Sequence, residues 1–158
     1  MKKQAAGAFK NAPIFYEEVP LFEGLTREAM ATLLVASEEK LYTRGQTIVE
    51  EAEFGHHLYV IGRGAVEVVK SAGTPNEVVL AKLKAKDFFG EMCLIESTVR
   101  SATVRGLEPT LIYRISSATL HKFSRFWPDQ HAALILNLTR DLSRRLRSLD
   151  VAFAARAY

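Results

Sequence analysis

The chain has 158 residues, a formal net charge of +3 and a sequence pI near 9.1. Apolar residues make up 48% and charged residues 25%, which excludes a disordered chain. A chain of this length buries roughly 70% of its unfolded surface, enough for one real core but not two. One cysteine excludes an intrachain disulfide, and no apolar run is long enough to cross a bilayer. We therefore predict a cytoplasmic protein without a membrane partner.

The first predicted element is a short helix within PLFEGLTREAMATLLVAS. Thr26 is a favourable N-cap residue, and Glu28 lies in the first turn, where the helix dipole stabilises a negative charge. Leu25, Ala29 and Leu33 fall on one face, as an amphipathic helix requires. A helix is therefore expected to precede the rest of the domain.

Between residues 40 and 116 the chain consists of short runs rich in β-branched residues, separated by glycines. Such runs at spacings of about ten residues indicate six to eight strands with no crossover helices. The pattern predicts a mainly β fold: an antiparallel jelly-roll β-barrel or sandwich with an N-terminal helix and C-terminal helices. The runs are TIVEE, HLYVIG, AVEVVK, EVVLAKL, SATVRG and TLIYRI.

The last third is helical again, with a short helix over residues 117–126 and a final helix over about 129–150. Pro128 stands at a favourable first-turn position of that final helix. Apolar residues along it follow spacings of 3, 4, 4, 3 and 4, which have heptad character. We expect this seam either to join two copies as a homodimer or to pack on its own domain. The seam comprises Ile135, Leu138, Leu142, Leu146, Leu149 and Phe153, flanked by Arg140, Arg144, Arg145 and Arg147.

The stretch FFGEMCLIESTVRSATV, residues 88–104, contains two oppositely charged positions that suggest a binding site. Gly90 allows close backbone approach to a ligand, and the turn after it directs N–H groups toward an anion. Arg100 adds a two-pronged cation and Ser101 a hydroxyl, which suits a phosphate. Glu91 would repel that anion unless it accepts a hydrogen bond from a sugar hydroxyl. A cyclic nucleotide satisfies all these groups, whereas a Glu91–Arg100 salt bridge closing a loop is the alternative.

The segments GEMCL and RSATV, residues 90–94 and 100–104, resemble the phosphate-binding cassette of the cyclic nucleotide-binding domain family. That family includes protein kinase A regulatory subunits, the catabolite activator protein and cyclic nucleotide-gated channels. PLFEGLTREAM, LYVIGRGAVEV and the closing helices over residues 122–149 extend the resemblance over most of the chain. The domain would then span residues 20–158, after an N-terminal extension of residues 1–19.

The resemblance implies a role for each cassette residue. Glu91 would accept a hydrogen bond from the ribose 2′-hydroxyl, and Arg100 would pair with the exocyclic phosphate oxygens. Backbone N–H groups around Met92 and Cys93, at the turn after Gly90, would complete the phosphate cradle. Ser101 would add a hydroxyl contact. This serine does not decide between cAMP and cGMP, and cAMP is favoured.

Residues outside the cassette would contact the base. The resemblance places Val68 and Leu80 on facing strands, where they would pack on it. A residue of the last helix would cover the base as a lid, and the choice stays open among Arg144, Arg145 and Leu146.

Two positions depart from the family pattern. His56 stands where many relatives carry an acid that helps orient the cassette arginine, so Arg100 is expected to be held in another way. Cys93 replaces a commoner alanine and is expected to be a small buried residue.

The expected function is that of a non-enzymatic receptor domain for cAMP or cGMP that signals by rearranging its C-terminal helices to an unidentified effector protein. The sequence contains no Ser-His-Asp arrangement or P-loop, and no cofactor or metal is expected. Because the chain ends soon after the seam, no recognition helix for nucleic acid is expected. The alternatives are a ligand-free interaction or scaffold module on the same fold, and a regulatory fragment of a larger channel or regulator.

Overall fold

The computed structural model describes residues 14–95 and 98–156 of the chain. Within them, eight strands are followed and interrupted by helices and short turns. The strands are β1 (Glu38–Tyr42), β2 (Thr47–Val49), β3 (His57–Arg63), β4 (Ala65–Lys70), β5 (Val78–Lys84), β6 (Phe88–Phe89), β7 (Thr103–Gly106) and β8 (Thr110–Ser116). The helices are α1 (Arg27–Val35), α2 (Met92–Ile95), α3 (Ser117–Phe126) and α4 (Pro128–Arg156), with 3-10 turns at Ile14–Glu18 and Pro20–Phe22.

The strands form two four-stranded antiparallel sheets, in the orders β1-β8-β3-β6 and β2-β7-β4-β5. Most sheet neighbours are therefore distant in the chain, as in a jelly roll built from long connections. The predicted mainly β fold with flanking helices is confirmed. Over the described strands the two sheets do not close into a barrel, so the sandwich form of the prediction is the correct one.

The helix boundaries agree with the local signals in the sequence. The Thr26 hydroxyl accepts a hydrogen bond from the Ala29 N–H at 3.3 Å, which confirms the predicted cap of α1. Ser116 caps α3 in the same way through the Thr119 N–H, at 3.1 Å. The final helix begins at Pro128 and continues to Arg156, six residues beyond the predicted end near residue 150. None of the described helices is both long and apolar enough to span a membrane.

Two apolar clusters hold the domain together. One lies between the two sheets and includes Tyr59 and Ile61 of β3. The other lies between the β1-β8-β3-β6 sheet and the helices, and it includes Phe123 and Leu138. Tyr16 joins this second cluster as well, so the described end of the predicted N-terminal extension packs on the domain. The boundary at residue 20 stays a prediction.

The two halves of α4 differ in their contacts with the domain. In the first half Leu138 is 1% exposed, and Asn137 donates through Nδ2 to the carbonyls of Leu21 (3.1 Å) and Glu23 (2.7 Å). Residues 146–155 are exposed throughout. The predicted apolar seam is therefore divided, because Leu138 packs on its own domain. The exposed members of the seam are Ile135, Leu146, Leu149 and Phe153.

Candidate functional site

The backbone of Arg100 is fixed by the loop that follows β2. The Arg100 N–H donates to the Glu53 carbonyl at 2.8 Å, and the Ala52 N–H donates to the Arg100 carbonyl at 2.9 Å. An antiparallel bridge between Phe54 and Val99 extends this pairing. Arg100 thus projects from a segment that is hydrogen-bonded almost as a strand would be.

The guanidinium of Arg100 lies inside the domain, and the residue is 9% exposed. Nη1 donates to the Gly90 carbonyl at 3.1 Å, and Nη2 donates to the His57 carbonyl at 2.9 Å. Its Cζ lies 5.4 Å from the centroid of the Tyr59 ring. Contacts from two different nitrogens fix the plane of the group, because the donors of a guanidinium form a rigid fork.

Two glycines make room for this side chain. A Cβ at Gly55 would lie 1.9 Å from Nε of Arg100, which is far inside van der Waals contact. A Cβ at Gly90 would lie 2.7 Å from Nη1, and Gly90 has φ +80°, which side-chain-bearing residues rarely adopt. The close approach expected of Gly90 is therefore, in this structure, an approach to Arg100.

Glu91 is 6% exposed and has a different partner from the one considered in the sequence. Its Oε1 lies 3.5 Å from Nη1 of Arg145, on α4. Among the described residues no ion pair joins Glu91 to Arg100, so the loop-closing salt bridge between these two is wrong. The Glu91 carboxylate and the Arg100 guanidinium therefore lie at the same site without forming an ion pair with each other.

Arg145 ties α4 to the cassette through several groups. Nη2 donates to the Phe88 carbonyl at 3.2 Å, and Cζ lies 5.2 Å from the Phe88 ring centroid. Nε pairs with Asp141, one turn earlier on α4, at 2.6 Å. Of the three lid candidates, Arg145 contacts the cassette, whereas Arg144 pairs with Asp141 at 3.9 Å and Leu146 is 61% exposed.

Two other cassette residues, Met92 and Ser101, are exposed. Met92 begins the four-residue helix α2 and is 51% exposed. Cys93 belongs to α2 by its backbone, and its side chain lies outside the described part of the structure. Ser101 is exposed, and its carbonyl accepts a hydrogen bond from Nζ of Lys70 at 2.8 Å. Lys70 also pairs with Glu51 at 2.5 Å, and neither residue was predicted from the sequence.

The two apolar residues predicted to contact the base lie on paired strands. Val68 of β4 is half-buried and lies opposite Ala81 of β5. Leu80 falls at the irregularity in this pairing, and it is 57% exposed. The sheet therefore presents both residues close to one another, with Leu80 facing outward.

Histidines near the site do not form a metal centre. No cluster of three ligating side chains occurs within the described ranges. Burial, together with the positive charges of Arg114 and Arg100, lowers the pKa of His57 below its ordinary value. His57 is therefore neutral at pH 7 and adds no charge to the Arg100 end of the site.

Comparison with known proteins agrees with this fold and cassette. Residues 39–125 match the model of the family described as "Cyclic nucleotide-binding domain". The chain is 34% identical over 155 residues to a cAMP-dependent protein kinase regulatory subunit of Mycosarcoma maydis, covering 87% of this chain and 29% of the relative. It is 30% identical over 132 residues to the cyclic AMP receptor protein of Thermus thermophilus, covering 84% of this chain and 59% of the relative.

A solved structure shares the architecture. The catabolite activator protein of Thermus thermophilus superposes with a TM-score of 0.74 at 29% identity, covering 87% of this chain and 63% of that one. The chain thus spans less than two thirds of each of these three relatives. Because the family match covers more than half of the chain and includes the strands and the cassette that form the site, the protein belongs to the cyclic nucleotide-binding domain family.

Proposed function

We propose that this chain is a non-enzymatic receptor domain for a cyclic nucleotide, with cAMP as the favoured ligand over cGMP. The observation that carries the proposal is the pair formed by buried Arg100 and buried Glu91, which lie at one site without pairing with each other. The guanidinium can donate to an anion and the carboxylate can accept from a hydroxyl, so one ligand that carries both groups matches the site. The preference for cAMP is supported by the names of the relatives in Mycosarcoma and Thermus.

Each group at the site matches one part of such a ligand. The guanidinium of Arg100 would bind the phosphate, with the backbone N–H groups of Met92 and Cys93 and the Ser101 hydroxyl completing the cradle. The carboxylate of Glu91 would accept the ribose 2′-hydroxyl. The apolar side chains of Val68 and Leu80 would contact the base.

The contacts of α4 suggest how binding is transmitted. Arg145 connects Glu91 to a helix half that has few other contacts with the domain. A ribose hydroxyl at Glu91 would alter this ion pair and so shift the position of α4. A change in population from 1:99 to 99:1 requires a preference of about 5.5 kcal/mol for one state. A bound phosphate, sugar and base together are able to supply a preference of that size.

The exposed part of α4 is the surface we assign to partners. Leu146, Leu149 and Phe153 are 61%, 66% and 79% exposed on a helix that extends past the domain. An isolated helix end is marginally stable in water, and a second copy would cover this seam by coiled-coil packing. Sedimentation of the protein should show a dimer that Leu149→Glu converts to a monomer, and a monomeric wild type at all concentrations would exclude it. The effector protein, the cytoplasmic location and the absence of nucleic-acid and membrane partners stay predictions.

Calorimetric titration with cAMP and cGMP in parallel tests the proposed function. The protein is first denatured and refolded to remove any carried-over ligand. Micromolar or tighter binding of either nucleotide establishes a receptor, and the ratio of the two affinities identifies the preferred ligand. Absence of both heat and thermal stabilisation with each nucleotide would contradict the proposal and favour a ligand-free interaction module on the same fold.

A further inference from the structure

The side chain of Arg100 lies against an aromatic ring as well as two carbonyls. Cζ is 5.4 Å from the Tyr59 centroid, within the range at which a cation is attracted to the face of a ring. A Cβ at Gly55 or Gly90 would collide with the guanidinium, so the backbones of these two glycines and the Tyr59 ring all lie around the Arg100 side chain. The arrangement restricts the orientation of Arg100 and not merely its distance from the sheet.

Tyr59 is itself tightly packed. It is 7% exposed, and its ring stacks on that of Phe89 with centroids 4.8 Å apart and an interplanar angle of 3°. The two residues lie directly opposite one another in the pairing of β3 with β6, so the stack is part of the sheet. Both belong to the apolar cluster between the sheets. A rigid ring of this kind provides a fixed reference surface for a flexible side chain.

We propose that Tyr59 is a positioning residue for Arg100. The Tyr59 ring holds the Arg100 guanidinium in the plane in which it binds the phosphate of the ligand. The inference rests on the proposed function, because it presumes that an anion binds at Arg100. A planar guanidinium packs flat against an aromatic face while its N–H donors point outward along its edges. The ring thus acts on the ligand through Arg100 and without contacting the ligand itself.

A tyrosine with a purely structural role should affect stability but not nucleotide affinity, and Tyr42 provides the matched comparison. Tyr42 is 4% exposed, belongs to the same apolar cluster and has Nζ of Lys40 at 5.3 Å from its ring centroid. No described contact links the ring of Tyr42 to Arg100. Tyr42→Leu should therefore lower thermal stability and leave nucleotide affinity unchanged.

The experiment titrates Tyr59→Leu, Tyr59→Phe and Tyr42→Leu with cAMP, each also in an Arg100→Lys background. Tyr59→Leu should weaken binding by about 3- to 30-fold, the range of cation–ring contacts from exposed to desolvated sites. Tyr59→Phe keeps the ring and removes only the hydroxyl, which also interacts with Arg100, so affinity should fall less than in Tyr59→Leu. In the Arg100→Lys background the loss caused by Tyr59→Leu should shrink, because the planar group is gone.

A spectroscopic measurement tests the contact without relying on affinity. The Nε–H signal of Arg100, assigned by its loss in Arg100→Lys, should be shifted by the ring current of Tyr59. The shift should persist in Tyr59→Phe and disappear in Tyr59→Leu. An unshifted signal in the wild-type protein would overturn the proposal even if Tyr59→Leu fails to fold.

The possible outcomes separate this inference from the proposed function. Equal affinities for Tyr59→Leu and Tyr59→Phe, or an unchanged loss in the Arg100→Lys background, would overturn the positioning role while the receptor function stands. A wild-type protein that binds neither cAMP nor cGMP would overturn the receptor function instead. In that case the Nε–H shift alone decides whether Tyr59 orients Arg100.

Discussion

The two charged ends of the candidate site are held by different parts of the molecule. Arg100 is fixed by the sheet scaffold, through its own backbone pairing and through the carbonyls of Gly90 and His57. Glu91 instead has Arg145 as its ionic partner, from a helix that is exposed throughout residues 146–155. One end of the site is therefore part of the sheet scaffold, whereas the other depends on a helix whose last turns are exposed.

This difference separates affinity from signalling. A preorganised donor loses little freedom when a ligand binds, so the Arg100 end is suited to supply binding energy. A contact that differs between two states is what allows a ligand to shift their populations. We propose the Glu91–Arg145 contact for this role, because it joins the site to α4 through one partly exposed side chain.

Removing the charge at the rigid end should have the largest effect. Arg100→Ala is expected to weaken cyclic nucleotide binding by roughly 2 to 5 kcal/mol, the range for truncating one partner of a buried charge pair. Calorimetry on the refolded protein measures the loss. The matched control is Arg105→Ala, because Arg105 pairs with Glu67 and Glu77 and no described contact links it to Gly90, Glu91 or Arg100. Equal affinities of the two variants would refute the assignment of Arg100 as the phosphate ligand.

Displacing the guanidinium without removing it should have a smaller effect. An alanine at Gly55 would place its Cβ on the end of the Arg100 side chain, so the guanidinium would have to leave its hydrogen bonds with the Gly90 and His57 carbonyls. Gly55→Ala is expected to keep the fold and to weaken binding by about 1.5 to 3 kcal/mol, the size of hydrogen bonds to a charged group. Titration with cAMP measures the loss of affinity, and thermal unfolding tests whether the fold is kept.

The same loop offers a control for that variant. His56 is exposed, and its side chain has no described contact with Arg100. His56→Ala should therefore bind as wild type does. In the Arg100→Ala background Gly55→Ala should cause no further loss, and an additive loss would show that Gly55 acts through something other than Arg100.

Much of the fold follows from local patterns in the sequence. The six β-branched runs predicted as strands all occur in the two sheets, and Thr26 and Pro128 begin helices as expected. Two strands were not predicted. The run EEKLY of β1 buries only Tyr42, and β6 consists of Phe88 and Phe89 alone. Neither segment has the alternation or length on which a strand prediction depends. Both become strands only by pairing with partners that are distant in the chain.

The site was predictable only in part. Gly90, Glu91 and Arg100 are near one another in sequence, and the structure brings them together as expected. Tyr59 was missed because it lies in a run that indicates a core strand, and no periodicity shows which core ring contacts a cation. The pairing of Arg145 with Glu91 was missed for a similar reason, since the packing of a helix on a sheet is not fixed by local sequence.

The weakest expected effect concerns the movable end. Arg145→Ala removes the partner of Glu91 together with the Arg145 contacts to the Phe88 carbonyl and ring. Because the Arg145 side chain is 39% exposed, the ion pair contributes about 1 kcal/mol at most. Loss of the pair alone should raise amide exchange over residues 143–156 by about fivefold in the ligand-free protein, and the lost Phe88 contacts should add to this rise. Nucleotide saturation should then change exchange there less than in wild type. Arg147→Ala is the control, because Arg147 donates to Ser143 on its own helix at 2.9 Å. If Arg145→Ala and Arg147→Ala exchange alike with and without nucleotide, the signal does not pass through Glu91, and the two ends of the site do not differ in the way their contacts indicate.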